Sequence, residues 1–273
     1  MNASTPADRI VSEVLKDVAA REAVISFKEI KASSRDAPAV RDGIGAILRS
    51  GCGVIAEIKR AVPGRRPFVE DPSVDSIIRL AHELEDGGAH LIACQTERLR
   101  FHGSLEDMKA ARAAVDVPML CRDLIIDPYQ IHEARFFGAD LVPLQVELLD
   151  QPRFESLLDR VESLGMTAVA EVRTPEEADR AMTAGARVVA VNARSLIDGR
   201  IDRQLFAGIV PGLPEATLRI AMSGVRSPKD LLSYASAGAD AVVVGEEIML
   251  AEDPTRLTRS LVAAGQHPSC PSR

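Results

Sequence analysis

Two hydrophobic periods divide this chain. Over residues 7–20, Ile10, Val11, Val14, Leu15 and Val18 recur at helical spacing, which predicts an amphipathic helix. A polar connector follows, and a second helix is expected over about 36–50. From residue 54 the pattern changes to short apolar runs rich in β-branched residues, at 54–59, 90–95, 118–123, 140–146, 167–172, 188–192, 218–224 and 241–245. These eight runs read as strands. Helical patterns alternate with them at about 73–86, 104–114, 127–137, 152–164, 175–184, 202–209, 227–237 and 254–264.

The junctions repeat as well. Gly88-Ala89-His90, Gly138-Ala139-Asp140, Gly185-Ala186-Arg187 and Gly238-Ala239-Asp240 stand where a helix gives way to a strand, as a left-handed glycine cap requires. Asp71-Pro72, Asp127-Pro128, Thr174-Pro175 and Ser227-Pro228 signal helix starts, each a cap residue followed by proline in the first turn. Eight strand–helix units without a break in composition predict a (β/α)₈ barrel; a doubly wound open sheet is the alternative that counting alone leaves open. The expected organisation is a helical extension over 1–52 covering the bottom or edge of the barrel, the barrel over 53–264, and a loose tail over 265–273.

Composition narrows this further. With 46% hydrophobic residues, 3% aromatics and no Trp among 273 residues, the core must be aliphatic, which suits parallel strands buried on both faces. A net charge of −7 argues against a nucleic-acid-binding surface. Cys52, Cys94, Cys121 and Cys270 are widely spaced, with no CxxC, and read as small hydrophobes, one of them in the tail, rather than as a metal site or a disulfide framework. The N-terminus lacks a basic start followed by an apolar segment, and no apolar run reaches the roughly 20 residues of a membrane span. A cytoplasmic protein is expected, without membrane or nucleic-acid partners.

In such a barrel, chemistry gathers at the C-terminal strand ends. Those ends carry Glu57 and Lys59, Thr96 and Glu97, Arg122 and Asp123, Gln145 and Glu147, Glu171, Asn192 and Arg194, Ser223 and Gly224, and Gly245 with Glu246. Glu57 and Lys59, two apart on a strand, share one face, as a catalytic pair or as a structural ion pair. Lys59 suits a phosphate clamp or an acid, according to its pKa. Glu171 closes an apolar strand, so burial is expected to raise its pKa toward that of a general acid or base; the bland alternative is a salt bridge to Lys59. Arg194 offers a planar fork for a carboxylate, and Asn192 a group to orient a hydroxyl. The small-residue turns at Ser223-Gly224 and Gly245-Glu246 follow the seventh and eighth strands, where backbone N–H groups hold phosphate in such barrels. His102, alone in a loop, reads as a surface residue.

These residues also carry a resemblance. Ala56-Glu57-Ile58-Lys59-Arg60, Thr96-Glu97 with Phe101-His102-Gly103-Ser104, Asp123 with Ile126-Asp127-Pro128-Tyr129-Gln130, Ala170-Glu171-Val172, Asn192-Ala193-Arg194 and Val244-Gly245 with Met249 resemble indole-3-glycerol phosphate synthase in order and spacing, from the N-terminal helices to about residue 260. The resemblance implies a (β/α)₈ carboxy-lyase of tryptophan biosynthesis that closes the indole ring of 1-(2-carboxyphenylamino)-1-deoxyribulose 5-phosphate, losing CO₂ and water, with no cofactor and no metal. It implies a monomer or an association with other enzymes of that pathway. Glu57 and Lys59 would be the catalytic pair of the first strand and Glu171 the acid/base carboxylate. Asn192 and Arg194 would position substrate, Phe101 and Leu196 would line the ring pocket, and Ser223, Gly224 and Gly245, with Lys59 and Glu246 beside them, would hold phosphate.

Four positions depart from the family's pattern. The third strand ends in Leu120-Cys121-Arg122-Asp123-Leu124, so the family's general-acid lysine is Arg122 and a pocket phenylalanine is Leu124. Met222 stands where a catalytic glutamate belongs, and the loop after the first strand reads Ala61-Val62-Pro63-Gly64-Arg65 in place of a serine and a serine–lysine pair. Arginine, with a pKa above about 12, stabilises an oxyanion but delivers a proton poorly. Two other readings therefore stay open here: a barrel enzyme acting on a related phosphosugar or aryl-amine substrate in a specialised pathway, and a paralogue that binds a phosphorylated ligand without turnover.

Overall fold

A computed structural model describes residues 5–49, 51–64, 66–68, 73–268 and 270. Its eight strands are β1 (Gly53–Ile58), β2 (Leu91–Gln95), β3 (Met119–Arg122), β4 (Leu141–Gln145), β5 (Thr167–Val172), β6 (Val188–Asn192), β7 (Leu218–Met222) and β8 (Ala241–Val244). Each pairs in parallel with the next, and β8 returns to β1 through Gly53↔Ala241 to Ala56↔Val244. The sheet is a closed barrel, so the open-sheet alternative falls.

Strand residues are buried on both faces because they meet different neighbours. Ile55, Leu120, Val169, Val188, Ile220 and Val243 fill the barrel interior, while Val54, Ile92, Val142 and Val191 belong to the larger core beneath the helices. Those helices are α4 (Val74–Asp86), α6 (Leu105–Ala114), α7 (Pro128–Phe136), α8 (Gln151–Ser163), α9 (Pro175–Thr183), α10 (Gln204–Ile209), α11 (Pro228–Ser236) and α13 (Pro254–Gly265). Short helices α5 (Arg98–Phe101) and α12 (Glu246–Met249) follow β2 and β8 and had no counterpart in the hydrophobic pattern. Gly88, Gly138, Gly185 and Gly238 take φ of 87°, 94°, 80° and 97°, the left-handed geometry expected of them.

Asp127, Thr174 and Ser227 cap α7, α9 and α11 with proline in the first turn. The fourth signal differs: Ser73 caps α4, and Asp71 and Pro72 lie outside the described residues.

The N-terminal segment is where the sequence pattern and the fold part most. α1 (Pro6–Glu22) matches, but the helix expected over 36–50 is replaced by α2 (Phe27–Ser33) and α3 (Gly43–Ile47). Asp42 caps α3 through the Gly45 N–H at 2.9 Å, and residues 36–42 contain no helix. α3 closes the bottom of the barrel, with Ala46 and Ile47 joining the interior core. A Cβ on Gly43 would lie 2.4 Å from Leu141 Cδ1, so only glycine allows that approach. α1 instead packs at the opposite end, where Arg21 pairs with Glu133 and Arg100 with Glu13.

At the other terminus, Gly265, first residue of the expected loose tail, closes α13, and its carbonyl accepts the Cys52 N–H at 2.9 Å. Cys270 is a free thiol like the other three cysteines, but it is buried and donates to the Ala264 carbonyl at 3.5 Å. Among the described residues, no helix is long and apolar enough to cross a membrane.

Candidate active site

The C-terminal strand ends open into a cavity of ≈ 830 Å³. Every residue given a role above lines it: Glu57, Lys59, Phe101, Arg122, Leu124, Glu171, Asn192, Arg194, Leu196, Met222, Ser223, Gly224, Gly245 and Glu246. Seven different segments supply them, brought together by the closure of the barrel. Of the other strand-end residues, Thr96 and Glu147 do not line it.

A chain of alternating charge crosses its floor. Lys59 Nζ lies 2.6 Å from Glu57 Oε2, and Arg122 Nε lies 3.5 Å from Glu57 Oε1. The Arg122 guanidinium then donates to Glu171 Oε2 at 2.7 Å. Asn192 Nδ2 donates to Glu171 Oε1 at 2.6 Å, and Gln145 Nε2 to Oε2 at 3.3 Å. Glu57 and Glu171 are each 5% exposed. Charges so buried persist only when paired and hydrogen-bonded. Two cations balance two carboxylates here.

The pairing reverses the pKa expected for Glu171. Burial pushes its carboxyl up, but Arg122 and the donors from Asn192 and Gln145 outweigh burial and hold it below the ordinary carboxylate range. Glu57 behaves alike: burial raises it, and Lys59 and Arg122 carry it lower. Burial alone would lower Arg122, but the two carboxylates raise it above the usual arginine value, so it is a fixed cation. The salt bridge weighed between Glu171 and Lys59 is also redrawn: Lys59 serves Glu57, and Arg122 serves Glu171. The expectation failed because the strand position of Glu171 signals burial but not which cation the barrel brings beside it.

Asn192 is fixed in one orientation. Its Oδ1 accepts the Arg194 N–H and the Ser223 hydroxyl, both at 2.9 Å, so its Nδ2 must face Glu171. Ser223 reaches this position with φ 68°, followed by Gly224 at 81°. A non-glycine residue in that region costs of order 1–3 kcal/mol, and here the strain turns the Ser223 hydroxyl toward Asn192. Gly245 lies equally close to the charge chain, since a Cβ there would be 2.5 Å from Glu57 Oε2 and 2.8 Å from Lys59 Cε. Gly245→Ala should therefore push Lys59 off Glu57 and lower kcat by about 10²-fold, the scale of an ångström-level misplacement. Steady-state rates compared with thermal unfolding of the same variant check this; an unchanged kcat would show that the pair has room to shift.

Phe101, Leu124, Leu196 and Met222 give the cavity apolar lining. Phe101 is held there by Glu97, a buried residue whose carboxylate accepts the Arg100 and Phe101 N–H groups at 2.7 and 3.1 Å. Leu196 rides on a hairpin closed by the Arg194↔Ile201 bridge and by Asp202 N–H to the Ala193 carbonyl at 2.9 Å. Arg194 pairs with Glu246 at 2.9 Å. His102 is exposed and caps α5 in the left-handed region, as a surface residue would.

Gln145 and Glu97, placed at the strand ends but given no role there, also line the cavity, as does Arg203, which the sequence did not single out. A glutamine ending the apolar run Leu141–Gln145 was the available sign for the first. Arg203 had none, because it lies beyond a loop whose hairpin conformation no turn motif announces.

The fold has wide company. Thiamine phosphate pyrophosphorylase from Pyrococcus furiosus superposes with a TM-score of 0.60 at 19% identity, covering 82% of this chain and 98% of that one. 3-Hexulose-6-phosphate synthase from Salmonella typhimurium gives 0.60 at 16%, covering 79% and 100%. At such identities only the fold is shared. Sequence says more. A protein of Mycobacterium leprae (strain TN), called indole-3-glycerol phosphate synthase, is 54% identical over 270 residues, 98% of this chain and 97% of its own. One of the same name from Mycobacterium avium (strain 104) is 53% identical over 273 residues, 99% and 98% of the two chains. The family profile described as indole-3-glycerol phosphate synthase matches residues 7–261. The chain belongs to the indole-3-glycerol phosphate synthase family.

Proposed function

We propose that this chain closes the indole ring of 1-(2-carboxyphenylamino)-1-deoxyribulose 5-phosphate, releasing CO₂ and water. The observation that carries the reading is the buried chain Lys59–Glu57–Arg122–Glu171–Asn192 in one cavity with the apolar side chains of Phe101, Leu124, Leu196 and Met222. Family membership supports the reaction class.

Arg122 is the electrophilic group. Its guanidinium, fixed between two carboxylates, donates to the substrate ketone oxygen and stabilises the negative charge that develops there. The ring carbon bearing the carboxylate attacks the ketone carbon, and the new carbon–carbon bond forms. CO₂ leaves with its bonding pair returned to the ring, which restores aromaticity. The hydroxyl left on the former ketone carbon then departs as water, while the adjacent CH₂ loses a proton to Glu171. Two protons reach that oxygen in all. One is matched by the proton Glu171 removes, and the other comes from solvent, replacing the charge lost with the carboxylate. Lys59, an ammonium at the open end of the chain, is the donor, because guanidinium yields its proton too reluctantly. The sequence is redox-neutral.

Around this centre, Arg194 holds the substrate carboxylate, Phe101, Leu124, Leu196 and Met222 enclose the ring, and the backbone at Ser223, Gly224, Gly245 and Glu246 takes the phosphate. Asn192, through its bond to Glu171, acts as a positioning residue. The chain works without a cofactor and as a monomer.

Substrate carrying an isotopic label in its carboxyl group tests the reaction: labelled CO₂ and indole product are expected in a one-to-one ratio. Label release without an indole chromophore would place decarboxylation before ring closure and sink the scheme. The departures at 122 and 222 give a second expectation. Met222→Glu alone adds a third carboxylate to a buried site already balanced, which costs several kcal/mol and should lower activity. Arg122→Lys with Met222→Glu carries the same extra carboxylate but adds a second ammonium able to give up its proton, so its kcat at neutral pH should exceed that of Met222→Glu alone by on the order of 10²-fold. If the double variant is no faster than Met222→Glu, proton delivery from position 122 does not limit the reaction.

A further inference from the structure

Acidic neighbours are distributed unevenly among the basic side chains of the cavity. Lys59 and Arg122 are bound to Glu57 and Glu171, Arg194 to Glu246, and Arg100 to Glu97 and Glu13. Arg203 and Arg226 instead share one carboxylate, Asp230, at 2.7 and 3.7 Å. Both arginines line the cavity, and Asp230 anchors them from the first turn of α11. That corner therefore presents two guanidinium groups on one shared carboxylate, with Asp202, which accepts the Gln204 N–H, nearby.

Its location is equally specific. A Cβ on Gly224 would lie 3.1 Å from both Cγ and Nε of Arg203, so the arginine lies flat against the β7 turn with no side chain between. The hairpin that ends at Asp202 and the start of α10 at Gln204 hold Arg203 from both sides. Arg226 follows the same turn on the outer rim, its side chain 66% exposed against 34% for Arg203.

We propose that Arg203, with Arg226 outside it, is a cationic grip on the substrate's phosphate, acting together with the backbone of the β7 turn. The inference rests on the reading above that phosphate binds at that turn. A planar guanidinium offers paired donors to a phosphate dianion. Through Asp230 the grip also fastens the hairpin carrying Leu196 to α11, so phosphate binding and closure of the ring pocket share one anchor.

Arg203→Met and Arg226→Gln in the full chain test this, with the phosphorylated substrate, its 5′-dephosphorylated counterpart and inorganic phosphate as probes. Loss of one charge-assisted contact should raise KM for the phosphorylated substrate about 10- to 100-fold, more for Arg203 than for Arg226, with the loss falling on KM rather than kcat. Inhibition by inorganic phosphate should weaken in parallel, and the loss for the dephosphorylated substrate should be at least tenfold smaller. Equal losses for both substrates would reduce Arg203 to a tether between the hairpin and α11 and overturn the proposal, as would unchanged phosphate inhibition. Arg226→Gln, at an exposed position, keeps the test open if Arg203→Met unfolds. Calorimetric titration with inorganic phosphate needs no turnover. Weaker binding by the variants supports the grip even if the parent forms no indole; unchanged binding beside normal turnover sinks the grip alone.

Discussion

Glu171→Gln should lower kcat by about 10²–10⁴-fold, the range expected when a general base is removed. The substitution keeps volume and shape but changes what the group accepts. Three donors converge on the carboxylate, from Arg122, Asn192 and Gln145 at 2.7, 2.6 and 3.3 Å. An amide nitrogen in either oxygen's place would face donors only, so the side chain must turn and release Arg122 or Asn192. Both the proposed base and the alignment of Arg122 as the proposed electrophile are then lost. The pH profile separates the two contributions. With its pKa held below the ordinary carboxylate range by Arg122, Asn192 and Gln145, Glu171 is ionised through neutral pH, so the acid limb of kcat should lie below that ordinary range. In Glu171→Gln the residual rate should lack this limb. A variant that retains the acid limb at the same pH would assign the base to another carboxylate.

The largest change in stability should come from Arg122→Met. Removing one partner of a buried ion pair costs about 3–5 kcal/mol, because Glu171 and Glu57 would remain buried with only Lys59 left to compensate them. The sign of the pH dependence should invert. In the parent both carboxyls lie below their unfolded values, so their contribution is present above pH ~4.3 and is lost as pH falls through the folded pKa. Without Arg122, burial dominates at Glu171 and raises its folded pKa above the unfolded one. Stability is then kept at low pH and lost as pH rises through the raised value. Denaturant midpoints at pH 5 and pH 8 should therefore show a larger deficit at pH 8. Equal deficits would mean that the destabilisation is a packing effect of the methionine, not one of uncompensated charge.

Both expectations depend on contacts that the sequence could not display. The barrel itself was legible, since β-branched runs, glycine helix ends and proline helix starts agree on eight units, and Gly88, Gly138, Gly185 and Gly238 adopt the φ such ends need. Polar residues closing apolar strands marked most of the cavity for the same reason: a buried strand has no packing use for Glu57, Glu171 or Asn192. What stayed hidden was pairing. Lys59 goes to Glu57 and Arg122 to Glu171 because the barrel fixes which strand ends face each other, and sequence spacing says nothing across strands. The N-terminal segment failed for another reason. Between Ser34 and Asp42 the chain runs without helix, and its anchors are long-range ones, such as the Arg41 N–H on Asp140 Oδ1 at 2.7 Å and the Arg112 guanidinium on the Ala39 carbonyl at 3.0 Å. Local periodicity contains no trace of such partners.

Whether an arginine between two carboxylates does the electrophilic work of ring closure is decided by a single-turnover experiment. Excess enzyme would be mixed with 1-(2-carboxyphenylamino)-1-deoxyribulose 5-phosphate at neutral pH, and indole fluorescence followed in time. The indole signal should rise in one phase, with its rate reduced in Glu171→Gln and Gly245→Ala. Substrate that binds tightly yet stays unchanged, with no indole signal, would contradict that role.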